Sequence, residues 1–127
     1  ILLMPAPGED HTFGLRLVQE FLLRESWEVS NHPVEKISDI GRIVSEQFFD
    51  VVGFSLSGET LIDSLQSAIS TVRFRSRNRA TKIIIGGHIF VERPELVAAM
   101  RADAYAPDAH SAVETVNRWA GEMATAK

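Results

Sequence analysis

The chain has 127 residues, 45% of them apolar and 24% charged, with a formal net charge of −4 and no cysteine. That is enough for one core but not two. It excludes disulfides, thiolate metal sites and cysteine nucleophiles, and gives no general attraction to nucleic acid or an anionic membrane. No apolar run approaches the roughly 20 residues that span a bilayer, and no signal peptide is recognisable, so a cytoplasmic protein without direct nucleic-acid or membrane binding is expected. The abrupt start inside an apolar run at Ile1 suggests a single domain, residues 1–127, cut from a longer chain.

Ile1-Leu2-Leu3-Met4 is a short continuous apolar run stopped by Pro5 and Pro7-Gly8, as expected of a strand buried on both faces. Leu15, Leu17, Val18, Phe21 and Leu22 recur at helical spacing and predict a helix from about Thr12 to Glu25. Trp27-Glu28-Val29 reads as a second strand, ended near Asn31-His32-Pro33. Ile37, Ile40, Val44 and Phe48 mark a second helix, and Asp50 to Ser55 a third strand. Leu61, Leu65, Ile69 and Val72 mark a third helix, and Lys82 to Ile85 a fourth strand followed by Gly86-Gly87. Pro94 suits the first position of a fourth helix carrying Leu96, Val97 and Met100. Asp103 to Ala106 is a weak fifth strand, and Val113, Val116, Ala120 and Met123 line a last helix.

Strand and helix thus alternate five times. Strict alternation predicts a parallel sheet covered by helices on both faces, with right-handed crossovers. At this size the expectation is a flavodoxin-like, Rossmann-like α/β fold with five strands in the order 2-1-3-4-5.

Ligands of such sheets bind beyond the carboxyl ends of the strands. His11, His32, the Ser55–Ser57 segment, Gly86-Gly87-His88, and Asp108 with His110 all follow strands and fall at that edge. Common uses of the fold can be set aside. A phosphorelay receiver needs an acidic residue where the third strand ends in Ser55. A flavodoxin needs a hydroxyl-rich phosphate loop where this chain has Pro5-Ala6-Pro7-Gly8-Glu9-Asp10. Gly8 and Gly14 are too far apart for a dinucleotide turn, and Gly53 to Gly58 misses a nucleophile elbow by one residue.

Three features remain in order: Glu9-x-His11-x-x-Gly14, Ser55-x-Ser57, and Gly86-Gly87. Forty residues lie between Gly14 and Ser55, and 28 between Ser57 and Gly86. This set resembles the cobalamin (vitamin B12)-binding domain signature Asp-x-His-x-x-Gly, Ser-x-Leu, Gly-Gly, and the resemblance spans essentially the whole chain. It implies base-off cobalamin with His11 as the axial cobalt ligand. Glu9 would accept the proton of the other ring nitrogen, and a slot for the displaced base would be lined by the small residues Ser55, Ser57, Gly58, Gly86 and Gly87. Gly14 and Asp108 complete the implied cofactor-binding set. The upper ligand could be methyl, adenosyl or hydroxyl.

Two departures stand out. Glu9 replaces the usual aspartate, and Ser57 the usual leucine. Together with Arg73-x-x-Ser76-x-Asn78 and Ala102-Asp103-Ala104-x-Ala106-x-Asp108, they look like light-responsive antirepressors of the AerR/PpaA type. They also resemble the SCHIC domain of AppA-like regulators, described as a haem-binding variant. That likeness implies a non-enzymatic sensory domain acting on a transcription factor or other regulatory protein. The alternatives are the corrinoid-carrying module of a methyltransferase or mutase, and a haem sensor using the same His11. The run Arg73, Arg75, Arg77, Arg79, Lys82 is the one basic cluster, set away from the ligand edge and without an aromatic stacking platform. Trp27 and Trp119 are expected in helix packing or the core.

Overall fold

The computed structural model describes residues 1–9, 13–31 and 36–125. In chain order the elements are β1 (Leu2–Pro5), α1 (Phe13–Arg24), α2 (Ile37–Glu46), β2 (Val51–Ser55), α3 (Ile62–Arg75), β3 (Lys82–Gly86), α4 (Ile89–Glu92), α5 (Glu95–Ala99), β4 (Ala104–Ala106) and α6 (Ala109–Thr125). A single turn of 3₁₀ helix, Glu59–Leu61, leads into α3.

The four strands form one parallel sheet in the order β1-β2-β3-β4. The expected fifth strand, and with it the order 2-1-3-4-5, is not formed. The Trp27–Val29 segment does run beside β1, but pairing is limited to a single parallel bridge between Leu2 and Ser30. Ser30 N–H donates to Ile1 O at 2.9 Å, and Leu3 N–H donates to Ser30 O at 3.1 Å. Ser30-Asn31-His32-Pro33 then follows, a composition that disfavours a strand, with a proline that has no N–H to add to a ladder.

Side-chain alternation along the strands divides the interior in two. Leu2, Met4, Val52, Phe54, Ile83 and Ile85 face α2 to α5, where they meet Ile40, Val44, Leu65, Ile69 and Phe90. Ile1, Leu3, Val51, Ile84 and Ala106 face α1 and α6, where they meet Leu22, Val113, Val116 and Trp119. Trp119 is thus a core residue. Trp27 packs at the edge of that second cluster, and its indole N–H donates to Asn117 Oδ1 at 2.8 Å.

Two local expectations are revised. Phe48 lies beyond the end of α2 and is 60% exposed, and Phe49 takes the buried position instead. The fourth helix is two short ones. α4 closes at Glu92, and Pro94, with no N–H to continue a helix, sits at the cap of α5.

The basic and motif-like residues around α3 serve the amino edge of the sheet. Arg73 donates to Asp103 Oδ2 at 2.8 Å, to Arg101 O at 2.7 Å and to Thr81 O at 3.1 Å. Asp103 Oδ2 also accepts Ile83 N–H at 2.7 Å, joining the start of β3 to β4. Asn78 bonds Phe49 O, Arg77 bonds Glu46 O, and Arg79 bonds Phe74 O. The cations therefore meet helix-terminal and loop carbonyls, where positive charge is favourable. Phe74, in the middle of this run, is 78% exposed. No helix among the described residues is long and apolar enough to cross a membrane.

Candidate functional site

In the register of the sheet, Ser55 stands beside Gly86, and Gly86 beside Ala106. One pleat earlier, Gly53 stands between Leu3 and Ile84. All these positions share the face turned to α1 and α6. At the carboxyl ends of the strands that face is therefore paved with Gly, Ser and Ala, where the opposite face carries Phe54, Ile85 and Tyr105. The small side chains leave a cleft of about 290 Å³ between the sheet, α1 and α6.

The depth of the cleft is apolar. Leu3, Gly53, Ile84 and Ala106 line it from the sheet, Leu15 and Val18 from α1, and Ala109 and Ala112 from α6. Polar side chains of Glu9, Ser57, His88 and Asp108 come from the loops and helix starts that border it. A more open hollow of about 730 Å³ at the amino edge, against Ile1, Trp27, Phe48 and Met123, touches none of the candidate residues. The carboxyl-edge cleft is therefore the candidate site, in the place expected for sheets of this kind.

Of the residues selected from sequence, Glu9, Gly14, Ser55, Ser57, Gly86, Gly87 and Asp108 all line this one cleft. They come from five separate chain segments. Gly58 is not among the lining residues; it is the extended residue before the 3₁₀ turn, with open space around it. His11, with His32, lies outside the described residues. The residues on either side of its segment, Glu9 and Gly14, both border the cleft.

Ser55 has a hydroxyl that is shut off from solvent and has no hydrogen-bond partner among the described residues. Buried polar atoms are nearly always paired, because an unpaired one costs about 1–3 kcal/mol. Ser76 and Tyr105 also carry unpaired buried hydroxyls, and what sets Ser55 apart is its place in the lining of the cleft. Glu9 accepts the backbone N–H of Ser57, tying the loop after β1 to the loop after β2.

The glycines have different reasons for being glycine. Gly87 has φ +136°, and a Cβ there would lie 1.7 Å from Leu56 O, so the protein's own backbone requires it. That need stands beside its place in the lining of the cleft. Gly86 would bring a Cβ no closer than 3.4 Å to Ala106 O. Its bareness serves the cleft. At Gly53 a Cβ would lie 2.8 Å from Leu3 Cδ2 and 3.3 Å from Ile84 Cγ2. Gly53 was not singled out from sequence, although an isolated glycine inside an apolar strand run is itself a signal of close approach.

Asp108 is a helix cap as well as a lining residue. Its Oδ1 accepts Ser111 N–H at 2.7 Å, and this bond is the main reason its carboxyl titrates below the usual range. His88 borders the cleft with its side chain 76% exposed and its Nε2 3.4 Å from Glu92. His110 pairs with Glu114 at 2.8 Å and does not line the cleft. Among the described residues, no three of His, Cys, Asp and Glu come together as a metal site.

Comparisons with known proteins bear on the family and the fold. The chain matches the family described as the B12 binding domain over residues 1–116. It is 27% identical over 103 residues to an uncharacterised 20.5 kDa protein of the bchF-crtJ intergenic region of Rhodobacter capsulatus, covering 81% of this chain and 53% of the relative. The chain thus spans about half the length of that curated relative. A cobalamin-binding protein from Desulfitobacterium hafniense superposes with a TM-score of 0.82 at 21% identity, covering 93% of this chain and 57% of that one. The monomethylamine corrinoid protein of Methanosarcina barkeri gives 0.78 at 17% identity, covering 91% and 55%. A receiver domain from Methanospirillum hungatei gives 0.65 at 17% identity, covering 99% and 97%, which places the fold in the flavodoxin-like group.

Proposed function

Because the chain belongs to the B12 binding domain family, we propose that its cleft holds the lower base of a cobalamin bound base-off, with His11 as the axial ligand to cobalt. The observation that carries this is the buried, unpartnered Ser55 hydroxyl at the floor of an apolar cleft. Size agrees as well. An apolar cavity of about 150 Å³ takes one benzene ring, and about 290 Å³ suits a two-ring heteroaromatic base.

When bound, cobalamin supplies a cobalt centre whose upper ligand can be exchanged or released, by light among other means. The protein's part follows from its own residues. His11 presents a neutral imidazole, a good ligand for a transition metal. Glu9, beside it in sequence, is fixed by the Ser57 N–H, and a carboxylate has enough lone pairs to accept an imidazole N–H as well. That second bond would set the tautomer of His11 and raise its basicity. Ser55 O–H donates to the ring nitrogen that the base no longer gives to the metal. Gly86 and Ala106 let the base lie against the sheet, and Leu15, Val18 and Ala112 cover it from the helices.

The role proposed for the domain is sensory and regulatory, with no catalysis of its own. It would bind methyl-, adenosyl- or hydroxocobalamin, respond to light, and act in the cytoplasm on a transcription factor or other regulatory protein. The observation favouring this over a methyl-carrying module is the likeness to the relative of the bchF-crtJ intergenic region.

The test is a titration with hydroxocobalamin, and separately with haemin, followed by absorption in the dark and after illumination. Stoichiometric cobalamin uptake with a histidine-on, base-off spectrum is expected, and its loss in His11→Ala. A light-dependent spectral change with methyl- or adenosylcobalamin supports the sensory role. Haemin uptake without cobalamin uptake would overturn the assignment of the cleft.

A further inference from the structure

Resting on the reading that a corrinoid's lower base enters the cleft, we propose that the cleft selects the chemistry of that base. It would take alkylated benzimidazoles and discriminate against purines. The walls are Leu3, Leu15, Val18, Ile84, Ala106 and Ala112, all apolar. Among the described residues that line it, the polar side-chain atom that is both buried and without a partner is the Ser55 hydroxyl. At the mouth, the Glu9 carboxylate takes the Ser57 N–H and the Asp108 carboxylate takes the Ser111 N–H.

A benzimidazole attached through one ring nitrogen has one further nitrogen, and Ser55 can satisfy it. Its methyl groups gain by meeting aliphatic walls. An adenine attached in the same way adds two ring nitrogens and an amino group. Inside this cleft those groups would exchange water for Leu, Val and Ala, and a polar group buried without a partner is penalised. The floor cannot yield more room for compensating water, since Leu3 and Ile84 already close over Gly53. Apolar pockets reject a near-isostere that adds one polar group by about a hundredfold, so the discrimination expected here is between about tenfold and a hundredfold.

The experiment compares three probes on the whole chain: hydroxocobalamin, the cobamide carrying adenine as its lower base, and cobinamide, which has none. Cobalamin is expected to bind about tenfold to a hundredfold more tightly than the adenine cobamide. Ser55→Ala is expected to weaken cobalamin binding by about tenfold while leaving cobinamide binding unchanged; it removes a hydroxyl that bonds nothing in the protein, so the fold is retained. Equal affinity for the benzimidazole and adenine forms, with cobinamide clearly weaker, would overturn the selectivity and leave the base-in-cleft reading standing. Cobinamide binding as tightly as cobalamin, or no corrinoid binding at all, would overturn that reading and the selectivity with it.

Discussion

The carboxylate of Glu9 and the backbone N–H of Ser57 form a hydrogen bond across 48 positions of the chain. It joins the segment that follows β1 to the loop that follows the cleft floor. Glu9→Gln keeps an acceptor for Ser57 but removes the charge offered to His11, whereas Glu9→Ala removes both. Partners that orient a metal-bound histidine are typically worth 10–100-fold in affinity. Cobalamin titrations should show a loss in that range for Glu9→Ala and a smaller one for Glu9→Gln. Equal losses would mean that the loop tie has no part in binding.

Ser55→Ala should separate stability from binding. The wild-type hydroxyl is buried and bonds nothing, so removing it is neutral or stabilising by up to about 1 kcal/mol. Thermal unfolding of the ligand-free variant should show an unchanged or slightly higher Tm, while cobalamin affinity falls. A clear drop in Tm would point to a hidden partner for Ser55 within the fold.

The adjacent glycines should behave oppositely. Gly87→Ala forces a side chain onto Leu56 O at a positive φ, and should cost about 3 kcal/mol or more, roughly 10 °C in Tm. Gly86→Ala meets only an ordinary contact with Ala106 O, so the fold should stand while the cleft becomes shallower. Circular dichroism melts together with cobalamin titration distinguish the two.

Asp108 gives a pH-dependent contribution whose sign is fixed by its cap. The Ser111 N–H bond holds its carboxyl below the usual range in the folded state. The stabilisation is therefore fully present above the unfolded pKa of about 4 and is lost as pH falls below it. Asp108→Ala should lower Tm at pH 7, and the gap from wild type should close as pH is taken below about 4. A gap that is the same at pH 3 and pH 7 would rule out the carboxylate as its source.

Arg73 and Asp103 clamp the amino edge, far from the cleft. Asp103→Ala strands the Ile83 N–H and takes from Arg73 its carboxylate partner, leaving it the Thr81 and Arg101 carbonyls, and should destabilise by about 2 kcal/mol. Cobalamin affinity should be unchanged at temperatures where the variant stays folded. This assigns Arg73 and the Ala102–Ala106 stretch, which suggested a regulatory sub-family, to a packing role.

The α/β alternation was legible because buried parallel strands leave short apolar runs, visible at Leu2 to Met4 and Ile83 to Ile85. The carboxyl-edge residues were legible as a set because their intervals matched a known pattern. The edge strand was not, since Trp27-Glu28-Val29 has a strand-like composition while its pairing with β1 stops at the single bridge through Ser30. The cleft floor was hidden for another reason. Gly53, Gly86 and Ala106 become neighbours only once the strand register is known. Sequence also could not separate Gly86 from Gly87, because the reason for the second is a carbonyl oxygen 31 positions upstream, on Leu56.

The sheet is packed unevenly. Its α2–α5 side is filled by the chain's own leucines, isoleucines and phenylalanines, while the carboxyl end of the other side is walled by two helices over a floor of glycine, serine and alanine. α1 also shows Leu17 and Leu23 to the outside, 40% and 48% exposed. One helix therefore borders both the cleft, through Leu15 and Val18, and the solvent, through Leu17 and Leu23.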